Sequence, residues 1–191
     1  ATNDDRRKVR PNGRAGSVGA QSAFARRPPE AQFVRDVLSH LADRIGGRLR
    51  AKHRAGRTVT VRIRFAGTRA ITRSRTTRTP INSTLTLTEI AEHLVWGALA
   101  APDNDSVQIS LLAISVSNLV DQAALQLELP LAADDPADQA SDVAASRFAI
   151  DHSIDEVRRR FGRTALGYGS VALGAHHSVP EEFRELAERE L

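Results

Sequence analysis

Four arginines at alternating positions of two neighbouring segments are the residues best suited to chemistry with an anion. Arg62 and Arg64 alternate with apolar residues, and Arg73 and Arg75 follow in the next segment. A guanidinium group presents several N–H donors in one plane, which suits the oxygens of a phosphate. If the two segments pair as a hairpin, the four groups come near one exposed surface, which predicts contact with a polyanion.

Other donor side chains extend this candidate surface. They are Arg14, Ser17, Ser74, Thr76, Arg78, Ser115 and Ser117. Hydroxyls often donate to phosphate oxygens, but they are common on every protein surface. An alternative interpretation is therefore a solvated hairpin whose charges keep an open face of the sheet from aggregating.

The charge is distributed unevenly along the chain. Residues 1–80 hold 20 of the 27 Lys and Arg and only 5 of the 23 Asp and Glu, whereas the net charge of the whole protein is +4. The remainder of the chain is correspondingly acidic. A half this basic indicates a polyanionic partner, and nucleic acid is the usual one.

Composition argues against several other classes of function. The 191 residues contain no Cys, and the six His are scattered, so we predict no catalytic residues, no metal site and no cofactor in this chain. No apolar run approaches the ~20 residues of a membrane span, and no signal peptide is evident, so we expect a cytoplasmic protein. Because position 1 is not Met, we expect a fragment or a processed chain.

Hydrophobic periodicity predicts six elements that would position these side chains. Apolar residues repeat every three to four positions after Pro28 and Pro29, and strict alternation marks the segment that carries Arg62 and Arg64. Thr86 or Thr88 is expected to cap the second helix, in which Trp96 is expected to be buried. The predicted elements are a strand at 17–24, a helix opened by Pro28 and Pro29 with apolar residues as far as Leu49, strands at 58–65 and 69–77, a helix from its threonine cap to Leu99 and a strand at 107–119.

This order predicts an α+β fold. A β-α-β-β-α-β sequence is the split β-α-β sandwich, a four-stranded sheet with two helices on one face. The other face of the sheet would then be bare and rich in arginine and serine. A C-terminal helix-strand-helix tail is expected, with the helix at 146–161, the strand at 164–173 and the last helix at 181–191.

Changes in composition suggest four regions. Residues 1–13 are polar and basic and are predicted to form an arm, and residues 14–120 are predicted to form the folded domain. Residues 121–145 hold an alternating apolar peptide followed by an Ala- and Asp-rich stretch, which predicts a flexible acidic linker. Residues 146–191 would be the tail.

Four segments together resemble the C-terminal part of Y-family translesion DNA polymerases of the polymerase IV type. Residues 14–21 (Arg-Ala-Gly-Ser-Val-Gly-Ala-Gln) are similar to the entry of that family's little-finger domain, and residues 71–76 (Ile-Thr-Arg-Ser-Arg-Thr) resemble its DNA-contacting hairpin. Residues 111–117 look like the last strand of that domain. Residues 126–131 resemble the peptide that docks on the bacterial sliding clamp. The 149–173 stretch is similar to a tail found in some members.

The resemblance implies a DNA-binding role. In this family the little finger lies along the major groove of the primer–template duplex and contacts its backbone, which positions an enzyme without reading sequence. The DNA-binding residues it implies are Arg62, Arg64, Arg73, Ser74, Arg75, Thr76, Arg14, Ser17, Ser115 and Ser117. The palm pattern, with acidic residues that hold two Mg²⁺ ions, is missing from this chain, so no nucleotidyl transfer is expected from it alone.

The resemblance also implies a second partner, the β sliding clamp. Alternating leucines in an extended peptide project to one side, where an apolar groove can take them. The implied clamp-binding residues are Gln126, Leu127, Glu128, Leu129, Pro130 and Leu131. A strand that continues into the core is the alternative interpretation of this peptide.

We therefore predict the little-finger region of a Y-family DNA polymerase, monomeric and associated with the nucleoid. It would grip the duplex and tether its parent enzyme to the clamp, which raises the local concentration at a primer end. A non-catalytic DNA-binding adaptor that recruits partners within a repair assembly is the alternative from another class of function.

Overall fold

The computed structural model describes residues 15–67, 69–100, 108–121 and 136–169. Four strands form one antiparallel sheet in the order β1-β4-β2-β3, so β1 and β3 are its edges. The elements are β1 (Ser17–Arg27), α1 (Ala31–Ala51), β2 (Arg54–Phe65), β3 (Ala70–Ile81), α2 (Thr84–Leu99), β4 (Ile109–Asp121) and α3 (Pro136–Phe161).

The predicted α+β fold is confirmed, with α1 and α2 packed on one face of the sheet. Register partners across antiparallel strands project to the same face. Val59, Val61 and Ile63 of β2 lie opposite Val116, Ile114 and Leu112 of β4, and all six are buried. Burying such a side chain stabilises the fold by about 1.5–3 kcal/mol. The alternate residues of the same strands therefore line the other face.

α1 runs without interruption through a pair of glycines, Gly46 and Gly47. A Cβ on Gly46 would lie 2.8 Å from Arg50 Nη1, 3.0 Å from Thr84 Oγ1 and 3.1 Å from the carbonyl oxygen of Asn82. The missing side chain thus lets α1 approach the start of α2 closely.

α2 differs from the prediction at its start and on one face. It begins at Thr84 with Ser83 as the N-cap residue, so neither Thr86 nor Thr88 is the cap, and no side chain caps the helix by a hydrogen bond from Ser83. Instead, the Thr84 N–H donates to Asp151 of α3 at 3.1 Å. Trp96, which was expected to be buried, is 36% exposed.

The tail also differs from the prediction. α3 begins at Pro136, so residues 136–145 are helical where a flexible linker was expected. The helix predicted at 146–161 is confirmed as the later part of α3. Residues 164–169 contain no strand residue, which contradicts the first part of the strand expected at 164–173. Alanine and most charged residues favour a helix, and the same residues are common in linkers. Composition alone therefore did not distinguish the two.

α3 docks on the helical layer mainly through ion pairs. Arg50 of α1 contacts Asp155 (Nη2 to Oδ1, 3.0 Å) and Asp151 (3.2 Å), and Arg158 contacts Asp43 at 2.8 Å. Burial acts to lower the pKa of Arg50, but the hydrogen bonds that Arg50 donates to Asp155 and the charges of Asp151 and Asp155 outweigh it and raise that pKa. Arg50 therefore stays charged in a largely dry setting.

Several predictions lie outside the described residues. They concern the arm at 1–13, Arg14, the clamp-like peptide at 126–131, and the tail beyond 169, which includes the helix expected at 181–191. The division of the chain into four regions stays a prediction.

Candidate nucleic-acid interface

The face of the sheet opposite α1 and α2 is uncovered in the described residues, and we call it the open face. Its residues alternate with the buried ones and align in rows across all four strands. One row contains Gly19, Ser115, Thr60 and Ser74. The neighbouring rows contain Ser17, Ser117, Thr58 and Thr76 on one side, and Gln21, Ala113, Arg62 and Thr72 on the other.

Small hydroxyl side chains dominate the open face. Thr58 Oγ1 and Thr76 Oγ1 lie 2.9 Å apart, and Asn118 Nδ2 donates to Thr58 Oγ1 at 2.8 Å. A shallow concavity of about 420 Å³ spans the centre of the face and is lined by side chains that include Gln21, Thr60 and Arg62. Short side chains and little relief allow a broad surface such as a duplex backbone to approach closely.

Both arginines of β2 belong to this open face, but their surroundings differ. Arg62 is exposed. Arg64 is half-buried, and its Nε donates to Ser110 Oγ at 3.0 Å, which holds the guanidinium against the start of β4. Arg62 is thus the more available of the two for an external phosphate.

The two arginines of β3 do not join Arg62 on the open face. Arg73 lies opposite Val61 and Arg75 lies opposite Val59, so both belong to the face that carries the helices. The prediction that four guanidinium groups share one surface is therefore wrong. Both are nevertheless exposed, because β3 is an edge strand whose middle is not covered by the helical layer.

Arginines instead lie on both faces of the sheet near the β3 edge: Arg62 of β2 lies on the open face, and Arg73 and Arg75 of β3 lie on the opposite face. Ser74 and Thr76 lie on the open face and alternate in sequence with Arg73 and Arg75. In an edge strand, alternate backbone N–H groups also point away from the sheet. Guanidinium, hydroxyl and backbone N–H donors thus converge along the β3 edge, and all three are frequent phosphate donors.

Positive charge on the described strands is nearly uncompensated. Strands β1 to β4 contain nine arginines and a single carboxylate, Asp121. Among the described residues, no carboxylate lies within ion-pair distance of Arg62, Arg64, Arg73 or Arg75. These four guanidinium groups therefore have no carboxylate partner among the described residues, although Arg64 donates to Ser110 and Arg73 donates to the Thr72 carbonyl.

The structure brings most of the predicted DNA-binding residues to the open face or the β3 edge. Ser17, Ser115 and Ser117 share the open face with Ser74 and Thr76, whereas Arg14 and residues 126–131 lie outside the described residues. Sequence reasoning missed Gln21, Thr58, Thr60 and Thr72. Their alternation with buried residues was the available pattern, since every such position in these strands projects outward.

The profile of the impB/mucB/samB family C-terminal domain matches residues 15–129, well over half of the chain. The chain belongs to this family. The predicted resemblance to the C-terminal little-finger region of Y-family DNA polymerases of the polymerase IV type is thereby confirmed.

Relatives of this impB/mucB/samB domain are DNA polymerases. DNA polymerase IV 2 of Mesorhizobium japonicum is 54% identical over 192 residues, which cover 100% of this chain and 46% of the relative. DNA polymerase IV of Dehalococcoides mccartyi (strain 195) is 26% identical over 179 residues, 94% of this chain and 41% of the relative. The chain therefore spans less than half the length of either relative.

A solved structure, the insertion ternary complex of Dbh DNA polymerase, is similar with a TM-score of 0.49 at 10% identity, over 55% of this chain and 29% of that one.

The described residues show neither a cluster of metal-ligating side chains nor a membrane-spanning helix. In residues 15–67, 69–100, 108–121 and 136–169, no group of three or more His, Asp or Glu side chains is arranged to hold a metal ion. None of the described helices has the length and apolar character needed to cross a bilayer.

Proposed function

We propose that this chain binds primer–template DNA through the open face and the β3 edge, as the little-finger region of a polymerase IV-type enzyme. The observation that carries the proposal is the near absence of carboxylates from the described strands, set against nine arginines. Sequence-independent phosphate contacts suit an enzyme that must copy any template. Nucleotidyl transfer, with its two Mg²⁺ ions, is proposed for the whole protein and not for these residues.

The position of the β3 edge suggests how a duplex is held. Arg62 and Ser74 would contact phosphates from the open face, and Arg73 would contact them from the opposite side of the same strand. An edge strand with donors on both sides can enter a groove and contact a phosphate strand on each flank. The major groove of DNA is about 12 Å wide and can admit such a strand, which supports a position of the β3 edge in that groove.

The proposal predicts different effects for two sets of charge reversals. Arg62→Glu tests the open face, and Arg73→Glu/Arg75→Glu tests the opposite side of the β3 edge. Each arginine that contacts a phosphate contributes about 0.9 to the slope of log K against log[salt]. We expect weaker duplex binding in both variants, with the slope reduced by about 1 and about 2 respectively.

Arg26→Glu is the matched control for these reversals. Arg26 is exposed on β1, at the opposite edge of the sheet, and has no carboxylate partner among the described residues. Binding to a fluorescent duplex should be titrated by anisotropy at several salt concentrations. An unchanged slope in both test variants, or an equal loss in Arg26→Glu, would remove the β3 edge from the interface.

We also propose that residues 126–131 tether the protein to the bacterial sliding clamp. The support is the peptide itself: Leu127, Leu129 and Leu131 alternate, and Pro130 disfavours a central strand. We expect the protein to act in the cytoplasm at the nucleoid, because both proposed partners are there.

The tether is tested by Gln126→Ala/Leu127→Ala/Leu129→Ala. This variant should lose binding to purified clamp while its thermal unfolding stays unchanged, because the peptide is expected to be solvent-exposed until the clamp takes it. Asp134→Ala/Asp135→Ala changes the same connecting segment outside the peptide and should bind normally. A loss of thermal stability in the triple variant would instead assign the leucines to the core.

A further inference from the structure

One residue of β4 departs from the extended conformation of a strand. Asn118 has φ of 53°, in the left-handed region that glycine and a few short polar residues adopt readily. Its neighbours Ser117 and Leu119 still pair with Thr58 and Gly56 of β2, so the departure is confined to one position. Such a residue persists only where its surroundings hold it in place.

The left-handed backbone brings the side chain of Asn118 to the open face. Successive residues of a strand project to opposite faces, and Ser117 already projects to the open face. An extended residue at position 118 would therefore project to the side of the helices. Instead, Asn118 Nδ2 donates to Thr58 Oγ1 on the open face at 2.8 Å. The unusual backbone thus allows a contact from β4 to β2 that a regular strand would not make.

This contact is the first of two hydrogen bonds that follow one another across the open face. Thr58 Oγ1 lies 2.9 Å from Thr76 Oγ1 of β3. A threonine hydroxyl has one proton and two lone pairs, whereas the amide nitrogen of Asn118 only donates. Since Thr58 accepts from Asn118, its own proton is left for Thr76. The proton of the Thr76 hydroxyl then points away from Thr58.

Thr76 lies where that proton can meet an external acceptor. Its side chain is exposed on β3, an edge strand of the sheet. Among the described residues, its hydroxyl has no hydrogen-bond partner other than Thr58. Hydrogen bonds in a row polarise one another, so a hydroxyl that accepts from Thr58 is a stronger donor. A phosphate oxygen accepts from such a donor but is repelled by its lone pairs.

We propose that Asn118 and Thr58 are positioning residues, which orient the hydroxyl of Thr76 so that it donates to a phosphate oxygen at the β3 edge. The proposal rests on the proposed duplex contact and adds the groups that set the direction of one donor. Asn118 acts only through Thr58 and Thr76 and does not itself touch the DNA.

The test is a double-mutant cycle on the full chain, with a fluorescent duplex titrated by anisotropy at several salt concentrations. Thr76→Val keeps the branched shape of the side chain, and Asn118→Gly keeps the left-handed backbone without strain. Thr76→Val should weaken binding about tenfold, because a hydrogen bond to a charged group is lost. Asn118→Gly should weaken it about threefold in the parent and not at all beside Thr76→Val. Neither variant should change the slope of log K against log[salt], because neither removes a cation.

Ser74→Ala is the matched control for Thr76→Val. Ser74 carries a hydroxyl on the same strand and the same face, and it shares no hydrogen bond with the side chain of Asn118 or Thr58. Its effect on affinity should therefore multiply with that of Asn118→Gly. Thr76→Ser keeps the hydroxyl, and we expect it to bind more tightly than Thr76→Val and to remain sensitive to Asn118→Gly.

Three results would overturn the role of Asn118. One is an equal effect of Asn118→Gly in the parent and beside Thr76→Val, which would make Asn118 a purely structural residue. The second is unchanged duplex binding in Asn118→Gly alone. The third is a coupling of Asn118→Gly to Ser74→Ala as large as its coupling to Thr76→Val.

The charge reversals at the sheet separate this role from the proposed function. If Arg62→Glu and Arg73→Glu/Arg75→Glu reduce the salt slope as expected while the cycle shows no coupling, only the role of Asn118 fails. If those reversals leave duplex binding unchanged, the duplex contact and the role of Asn118 fail together.

Discussion

Gly46 and Gly47 are neighbours in α1 with opposite surroundings. A Cβ on Gly47 would meet nothing within 4 Å, whereas a Cβ on Gly46 would press on Thr84 and on the backbone of Asn82. Glycine inside a helix costs about 0.5–1 kcal/mol relative to alanine. Alanine at Gly47 therefore changes only the helix propensity, whereas alanine at Gly46 changes the helix propensity and the packing.

We predict that Gly47→Ala stabilises the protein by about 0.5–1 kcal/mol, whereas Gly46→Ala destabilises it by about 1–3 kcal/mol. The crowding at Gly46 includes Arg50 Nη1, which donates to the Asn82 carbonyl at 2.8 Å and has little freedom to move. Urea unfolding of the two variants beside the parent measures both effects. Equal effects at the two positions would mean that α1 and the start of α2 are not in close contact.

At the scale of single elements, α3 depends on polar contacts for its attachment. Tyr168 follows the helix, and its hydroxyl donates to Asp151 at 2.9 Å; Asp151 also accepts the first N–H of α2. Burial, followed by the charge of Asp151, raises the pKa of Tyr168 above its usual value. The neutral phenol is therefore favoured in the folded state.

This shift predicts a specific alkaline instability. Because the folded-state pKa lies above that of the unfolded chain, the stabilisation is complete below about pH 10 and is lost as pH rises through the folded-state value. Tyr168→Phe should cost about 1–2 kcal/mol at neutral pH and should remove this loss. Tyr168 is the single tyrosine of the chain, so thermal unfolding between neutral pH and pH 11 compares the parent and the variant directly. Parallel pH profiles would contradict the contact.

The elements show which features sequence patterns can predict. Alternation identified β2 and β4 and their buried residues, because a half-buried strand imposes a period of two. The face of Arg73 and Arg75 could not be predicted in this way. The face on which these two arginines lie is set by the register of the β2–β3 hairpin. A shift of that register by one residue moves every side chain of β3 to the other face. The early start of α3 could not be predicted, because the alanines and charged residues of 136–145 fit a helix as readily as a linker.

At the scale of the whole molecule, the proposed DNA and clamp contacts lie close together along the chain. β4 ends at Asp121, and the clamp-like peptide begins at Gln126. Five residues span at most about 18 Å, even when fully extended. A clamp held by this peptide would therefore lie beside the sheet, where a short tether gives an effective concentration on the order of millimolar.

We predict that clamp loaded on a primed duplex raises the apparent affinity of this chain by about 10²–10⁴-fold over free duplex. Gln126→Ala/Leu127→Ala should reduce the affinity to that of free duplex, and Arg73→Glu/Arg75→Glu should weaken the duplex contribution while leaving the affinity for the clamp. Inserting about 20 Gly and Ser residues between Asp121 and Gln126 should weaken the enhancement without abolishing it, since effective concentration falls with roughly the −3/2 power of tether length. Equal enhancement with the long and the short tether would contradict the prediction, because the gain would then not depend on the effective concentration that the tether sets.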